Sequence, residues 1–174
     1  MKLNQNKIFL LGFMGCGKST LGKKLANKLG FQFFDLDKCI EEKVQMSITD
    51  IFKTKGEVQF RKLESDELIN ILNSKDNYVV ALGGGAPCFN ENLDLINKSG
   101  TSIYLKYNEG ILASRLINAK AERPLIANKT KEELIDFISE LLKEREQYYL
   151  KSKLVIEGTN ITVNQVTDLL FKNS

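Results

Sequence analysis

The chain has 174 residues, of which 43% are hydrophobic, enough for one compact domain with a sizeable core. Charged residues make up 27% and the formal net charge is +3, far short of the concentrated positive charge of a nucleic-acid-binding surface. No stretch approaches the roughly 20 apolar residues that a membrane span requires. We therefore expect a cytoplasmic monomer that has no nucleic-acid or membrane partner.

Five short apolar segments alternate with helical patterns along the chain, which predicts an α/β fold with a parallel sheet covered by helices. In chain order, the apolar segments are KIFLLGF, FQFFDLD, YVVALGGG, TSIYLKY and KLVIEG. The helical patterns cover about residues 18–29, 47–55, 57–72, 90–98, 109–119, 130–150 and 163–172.

Residues 1–174 are interpreted as a single domain, because the sequence shows no low-complexity tract, internal repeat or interdomain linker. Thr130, followed three residues later by Glu133, forms a capping box that predicts the start of the longest helix. The segment AERPLIANKTK just before it is predicted to be a surface loop and a candidate lid.

Three cysteines, Cys16, Cys39 and Cys88, are too few and too scattered for a disulfide framework, so we expect free thiols. The sequence has no histidine, which excludes the usual structural zinc sites and removes the commonest general base. Acid–base chemistry would have to use carboxylate, lysine or tyrosine side chains.

A phosphate-binding loop is the strongest motif in the sequence. Gly12, Gly17, Lys18 and Ser19 satisfy G-x-x-x-x-G-K-[ST], after a predicted strand and before a predicted helix. Such a loop binds phosphates through backbone N–H groups and a helix N-terminus, with the lysine on the outer phosphates and the hydroxyl on Mg²⁺. The alternative is a glycine-rich turn with a solvated lysine. NKLG, NKSG and NKTK lack the aspartate of a guanine-reading N-K-x-D, which favours ATP over GTP.

Two further segments end predicted strands at the sheet edge where ligands bind in such folds. Asp35 and Asp37 are expected on the same side of an extended chain, where they could serve metal and substrate. The alternative is a helix capped by Asp37 with Asp35 solvated. The glycines at 83–85 could offer N–H donors to a phosphate acceptor, although a plain turn explains them nearly as well.

Arginines at helical spacing suggest a carboxylate site. Arg145 lies within a stripe of apolar residues and has no acidic neighbour three or four positions away. Arg61 is similar, although Glu64 offers it a local partner. Two inward guanidinium groups would suit one planar carboxylate, whereas the alternative is that each stem lies along apolar surface.

Arg123 lies in the candidate lid and precedes Pro124, so its backbone is expected to be extended. An arginine that closes over a transferring phosphoryl group stabilises the charge of the transition state. The alternative is a solvated loop arginine.

The phosphate loop together with DLD, GEVQFRKLE, LGGGAP, ERPLI and EREQYY resembles the shikimate kinase family, in order and over nearly the whole chain. The resemblance implies a P-loop kinase of three layers, α/β/α, around a five-stranded parallel sheet. It also implies a mobile lid at about 112–128 and a shikimate-binding region at about 33–61. The implied reaction is Mg²⁺-dependent transfer of the γ-phosphoryl group of ATP to the 3-hydroxyl of shikimate, on the route to chorismate and aromatic amino acids.

The resemblance also implies roles for individual residues. The ATP phosphates would be bound by Gly15, Cys16, Gly17, Lys18, Ser19, Thr20 and Arg123. Shikimate would be bound by Asp37, Arg61, Gly84 and Arg145. Ser19 would ligate Mg²⁺, with Asp35 supporting the metal through water. Lys18, Asp37 and Arg123 would be the catalytic residues, with Asp37 orienting or deprotonating the attacking hydroxyl.

The sequence departs from the family mainly at the end expected to bind the nucleotide base. IEGTNITVNQV lacks the arginine and proline that many members carry there, and the alignment of Arg115 with a position over the base stays open. Two other interpretations are another small-molecule P-loop kinase, such as gluconate kinase, and a non-catalytic ATP-binding module.

Overall fold

The computed structural model describes residues 7–119 and 129–172. Within them, five parallel strands form one sheet: β1 Lys7–Leu11, β2 Gln32–Asp35, β3 Tyr78–Ala81, β4 Thr101–Lys106 and β5 Leu154–Glu157. Their order across the sheet is β2-β3-β1-β4-β5. Each apolar segment of the sequence contains one of these strands, so the predicted parallel sheet is confirmed.

Seven α-helices connect and cover the strands in the described ranges. They are α1 Lys18–Leu29, α2 Leu36–Val44, α3 Ile48–Leu72, α4 Asn92–Ser99, α5 Glu109–Ile117, α6 Lys131–Tyr149 and α7 Val163–Lys172. The bounds of α1 and α7 agree with the sequence prediction residue for residue. Thr130 and Glu133 form the predicted capping box at the start of α6.

Helix α2 was not predicted from the sequence, and the expected extended chain through Asp37 is wrong. β2 ends at Asp35, which is the N-cap of α2 and accepts a hydrogen bond from the Lys38 N–H. Asp37 therefore lies in the first helical turn, and the alternative that Asp37 is the cap is wrong as well. No turn residues separate strand from helix here, which leaves the sequence without the usual boundary signal.

A break at Gly56 divides α3 into the two helices that the sequence predicted. Gly56 has φ 77° and ψ 171°, outside the helical range, and a Cβ there would meet no atom within 4 Å. Beyond the break, Phe60, Glu64 and Leu68 are buried on one face of the helix. The second half of α3 can therefore take its own direction and present this face to the sheet.

Two apolar clusters, one on each face of the sheet, form the core. Successive residues of β1 alternate between them: Ile8 and Leu10 pack in one cluster, and Phe9 and Leu11 in the other. The first cluster contains side chains of α1, α5, α6 and α7, and the second contains side chains of α2, α3 and α4. The three-layer α/β/α architecture is thereby confirmed.

The strand register brings three segments of the chain to one edge of the sheet. Ala81, the last residue of β3, pairs with Leu10 of β1 on one side and with Asp35 of β2 on the other. The segments after these strands are the glycine-rich loop, α2 and the glycines at 83–85. In open parallel sheets this carboxyl edge is where ligands bind.

Two expectations from composition can be compared with the structure. Cys16, Cys39 and Cys88 are all free thiols, as predicted. No helix within residues 7–119 and 129–172 has both the length and the apolar character needed to cross a membrane.

Two helical glycines provide a paired test of the packing. A Cβ at Gly22 of α1 would lie 2.6 Å from Phe33 Cε2 and 3.3 Å from Leu10 Cδ1, whereas at Gly110 of α5 the nearest atom would be 3.6 Å away. We expect Gly22→Ala to lower the free energy of unfolding by about 1–2 kcal/mol, since overpacking outweighs the gain in helix propensity. Gly110→Ala should raise it by up to about 1 kcal/mol. Urea unfolding measures both, and a stabilised Gly22→Ala would contradict the packing described.

Candidate active site

A glycine-rich loop joins β1 to α1. Gly12, Gly15 and Gly17 have φ values of 142°, 82° and 93°, where residues with side chains are strained. A Cβ at Gly12 would also lie 2.9 Å from the Leu105 carbonyl oxygen. Gly17 is the N-cap of α1 and makes no side-chain cap, so the first N–H groups of the helix need another acceptor. The loop and the helix dipole together favour an anion.

Lys18 crosses this loop and is only 9% exposed. Its Nζ donates hydrogen bonds to the carbonyl oxygens of Gly12, at 2.8 Å, and Phe13, at 3.0 Å. Lys18 has no carboxylate within ion-pair distance in the described parts of the chain. Its charge is therefore held at the loop by neutral carbonyl groups, which an anionic phosphate would outcompete.

Ser19 and Asp35 bring two oxygen ligands together beside the loop. The Ser19 hydroxyl donates to Asp35 Oδ2 at 2.5 Å. The described residues contain no group of three or more acidic or cysteine side chains suited to a metal. A hydroxyl, a carboxylate and substrate phosphates nevertheless match the way Mg²⁺ binds to kinases, with few protein ligands. These residues therefore fit a magnesium ion that phosphates help to hold.

Two carboxyl groups lie close to the backbone of Gly83. A Cβ at this glycine would lie 2.7 Å from Glu64 Oε1 and 2.8 Å from Asp37 Oδ1. Glu64 is 1% exposed, and its Oε1 has no hydrogen-bond partner among the described residues. Burial raises the pKa of Glu64 to about 7, although the nearby Arg61 acts to lower it. Burial and the neighbouring Asp35 also raise the pKa of Asp37, while Lys18 partly offsets them.

Arg61 is inward-facing and already paired. Its Nη1 donates to Glu64 Oε2 at 2.8 Å, the partner that the sequence predicted, and its Nη2 donates to Glu57 Oε1 at 3.1 Å. The guanidinium carbon lies 4.2 Å from the centre of the Phe89 ring. A Cβ at Gly85 would lie 2.6 Å from Arg61 Nη2. Any residue with a Cβ at position 85 would collide with this guanidinium, so position 85 requires glycine.

Arg145 reaches the same loop from α6. A Cβ at Gly84 would lie 3.3 Å from Arg145 Nη1, and the Tyr149 hydroxyl donates a hydrogen bond to the Gly84 carbonyl oxygen. Arg145 is half-buried and forms no salt bridge with any residue in the described ranges. A half-buried guanidinium that lacks a carboxylate favours an anion from outside the chain.

The cluster around residues 83–85 adjoins the phosphate loop. A Cβ at Gly84 would lie 3.7 Å from the Met14 nitrogen and 3.8 Å from the Gly12 carbonyl oxygen. The predicted acceptor residues Asp37, Arg61, Gly84 and Arg145 are thus brought together next to the predicted phosphate residues. The fold therefore places the predicted phosphate residues and the predicted acceptor residues side by side.

Arg123 and residues 120–128 of the expected lid lie outside the described residues. Leu112, Ala113 and Leu116 of α5 are buried in the core. Those side chains anchor α5 against the sheet, and the lid bounds of about 112–128 stay a prediction.

Parts of this region were not predicted from the sequence. Glu64 was expected only as a partner for Arg61, although the three-residue spacing puts the two side chains on one helical face. Tyr107 and Ile161 were not predicted, and with Arg115 they line a cavity of about 350 Å³ next to the phosphate loop. The bond from the Ile161 N–H to the Tyr107 hydroxyl spans 54 positions, so no local pattern reveals it.

Comparison with known proteins agrees with this geometry. The family model described as shikimate kinase matches residues 14–173. A shikimate kinase of Azobacteroides pseudotrichonymphae is 43% identical over 164 residues, covering 94% of this chain and 96% of the relative. The crystal structure of shikimate kinase from Bacteroides thetaiotaomicron superposes with a TM-score of 0.88 at 36% identity, covering 96% of this chain and 95% of that one.

A second solved structure, shikimate kinase from Acinetobacter baumannii in complex with shikimate, has a TM-score of 0.88 at 30% identity and covers 99% of this chain and 96% of its own. A gluconokinase from Sinorhizobium meliloti reaches a TM-score of 0.63 at 17% identity, covering 99% of this chain and 95% of that one, which shows a shared fold alone. Since the matching model and relatives span most of the sequence, and the phosphate loop and arginine cluster lie side by side, this chain belongs to the shikimate kinase family.

Proposed function

We propose that this kinase transfers the γ-phosphoryl group of ATP to the 3-hydroxyl of shikimate, forming shikimate 3-phosphate and ADP. The observation that carries this conclusion is the convergence of Asp37, Arg61 and Arg145 on the glycines at 83–85, beside the phosphate loop. Shikimate is a ring acid with one carboxylate and several hydroxyls, so it needs cations at one end and a hydrogen-bond acceptor at the other. The cluster supplies both.

The two arginines are proposed to bind the carboxylate. Arg145 has no ion pair among the described residues, so the substrate would supply its missing anion. Arg61 keeps Glu57 and Glu64 as partners, which orient its guanidinium while they neutralise part of its charge. Arg145 is therefore the stronger electrostatic contact and Arg61 the more rigid one.

Asp37 is proposed to orient the attacking hydroxyl and to accept its proton. Its raised pKa makes the carboxylate a stronger base than an exposed aspartate, and the sequence offers no histidine for the task. The oxygen of the acceptor forms a bond to the γ-phosphorus as the bond to the β-phosphate oxygen breaks. Lys18, next to the departing ADP, stabilises negative charge on the phosphates.

The nucleotide is proposed to lie along the loop from Gly15 to Thr20, with its phosphates on the backbone N–H groups and Lys18. Ser19 and Asp35 would hold Mg²⁺, with Asp35 acting through water. The ion, when bound, neutralises charge on the β- and γ-phosphates.

Arg123 keeps the lid role that the resemblance implies. A single monomeric domain that acts on small molecules is part of this proposal, and the cytoplasmic location stays a prediction from sequence.

ADP release measured with a coupled enzyme assay tests the reaction and its key cation. Wild-type protein with ATP and Mg²⁺ should release ADP when shikimate is added but not when gluconate is added. Lys18→Ala should lower kcat by roughly 10³-fold, because a charge that stabilises the transition state is lost. Lys28→Ala, at the other end of α1, should keep wild-type turnover. Near-normal turnover of Lys18→Ala would refute the role of Lys18, and release that ignores shikimate would refute the reaction.

Arg145→Ala should weaken acceptor binding by about 1.5–3 kcal/mol, the value of a hydrogen bond to a charged group. The KM for shikimate should then rise roughly ten- to hundredfold, while the KM for ATP stays unchanged. Steady-state kinetics with each substrate varied in turn measures both values. Lys143→Ala, an exposed cation on the same helix, is the matched control. An unchanged KM for shikimate in folded Arg145→Ala would contradict the proposed contact.

Glu64 should make stability depend on pH. Its pKa of about 7 in the folded protein exceeds the ordinary value of 4.5, so the folded state binds more protons between these pH values. Its contribution to stability is therefore complete below about pH 4.5 and is lost as pH rises through 7. The free energy of unfolding of Glu64→Gln minus that of wild type should rise by about 1 kcal/mol per pH unit between pH 5 and 7. Urea unfolding at three pH values measures the difference, and a difference independent of pH would count against a buried, proton-binding Glu64.

A further inference from the structure

A cavity of about 350 Å³ adjoins the phosphate loop. Cys16, Gly17 and Thr20 form its near wall, and Tyr107, Arg115 and Ile161 are among the residues that form the rest. None of the acceptor residues Asp37, Arg61 and Arg145 lines it. A nucleotide whose phosphates bind the loop needs a neighbouring cavity for its base. This cavity adjoins the loop and could receive the base.

Tyr107 is the residue that joins the walls of this cavity. It directly follows β4 and is 5% exposed. Its hydroxyl accepts a hydrogen bond from the Ile161 N–H at 3.0 Å, which satisfies a buried backbone donor in the segment between β5 and α7. Its ring centre lies 4.2 Å from the guanidinium carbon of Arg115, within the range of a cation–π contact.

Arg115 connects Tyr107 to the phosphate loop. Its Nη1 donates to the Cys16 carbonyl oxygen at 3.1 Å, and its Nη2 donates to the Thr159 carbonyl oxygen at 3.4 Å. Its guanidinium is thus held by the loop on one side, by the 159–161 segment on the other and by the Tyr107 ring on its face. Tyr107 thus contacts both Arg115 and the 159–161 segment.

We propose that Tyr107 is a positioning residue for the nucleotide base: it sets the distance between Arg115 and the 159–161 segment and so shapes the cavity that receives the base. The inference rests on the proposed function in one respect, since it takes ATP to be the nucleotide on the phosphate loop. Tyr107 acts through Arg115 and the Ile161 backbone. Its effect should accordingly appear in the binding of nucleotides and be absent from the binding of phosphates alone.

Isothermal titration calorimetry with two probes separates these cases. ADP occupies both the phosphate loop and the base cavity, whereas inorganic pyrophosphate occupies the loop alone. Tyr107→Phe keeps the ring and removes only the hydroxyl. We expect it to raise the Kd for ADP roughly three- to tenfold, the range for one lost neutral hydrogen bond, and to leave the Kd for pyrophosphate and the KM for shikimate unchanged.

Tyr104→Phe is the matched control. Tyr104 lies on the neighbouring strand β4 and donates its hydroxyl hydrogen to Glu146 Oε1 at 3.2 Å, but it does not line the cavity. Tyr104→Phe also removes one hydroxyl hydrogen bond, which is part-buried. Because this bond lies outside the cavity, the Kd of Tyr104→Phe for ADP should equal that of wild type. Urea unfolding of both variants checks that they are folded to a similar extent.

Arg115→Gln gives a second test that does not depend on the stability of the tyrosine variants, because Arg115 is only half-buried. It should weaken ADP and spare pyrophosphate, and adding Tyr107→Leu to it should cost less than Tyr107→Leu costs alone. The inference is overturned if ADP binding is unchanged in Tyr107→Phe, if pyrophosphate weakens as much as ADP, or if the two losses simply add. A wild-type protein that binds ADP but releases none with shikimate would refute the proposed function and leave this inference standing.

Discussion

Four ionisable side chains lie within 3.3 Å of the positions that Cβ atoms would take at three consecutive glycines, and the predicted acceptor site depends on this close approach. Glu64 and Asp37 lie next to Gly83, Arg145 lies next to Gly84, and Arg61 lies next to Gly85. A methyl group at Gly83 or Gly85 would come within 3 Å of a charged atom. Bare backbone at the end of β3 lets groups from α2, α3 and α6 meet around one small volume.

The positive and negative side chains in that volume are unevenly paired. Arg61 has two carboxylate partners, whereas Arg145 has none within the described ranges. Glu64 is buried, one of its oxygens has no hydrogen-bond partner among the described residues, and burial raises its pKa. In the proposed function, an anionic acceptor would supply the negative charge that Arg145 lacks.

Several local features were predictable because short-range physics determines them. Three glycines with positive φ, Lys18 and the start of α1 follow from the loop motif, and the capping box at Thr130 follows from two side chains three residues apart. The break at Gly56 was predictable for the same reason. Asp37 was misplaced because β2 passes directly into α2, so neither periodicity nor turn residues marked the boundary.

The sequence by itself determined the five strands, most helices, the phosphate loop and the residue types able to bind an anionic acceptor, because each depends on neighbours within a turn or a strand. Only the tertiary structure decided which groups meet. The parallel register aligned the ends of β1, β2 and β3. Tertiary packing placed Glu64 next to Gly83 and Tyr107 next to Ile161. Contacts between residues dozens of positions apart arise from packing the two faces of the sheet, and no local pattern encodes them.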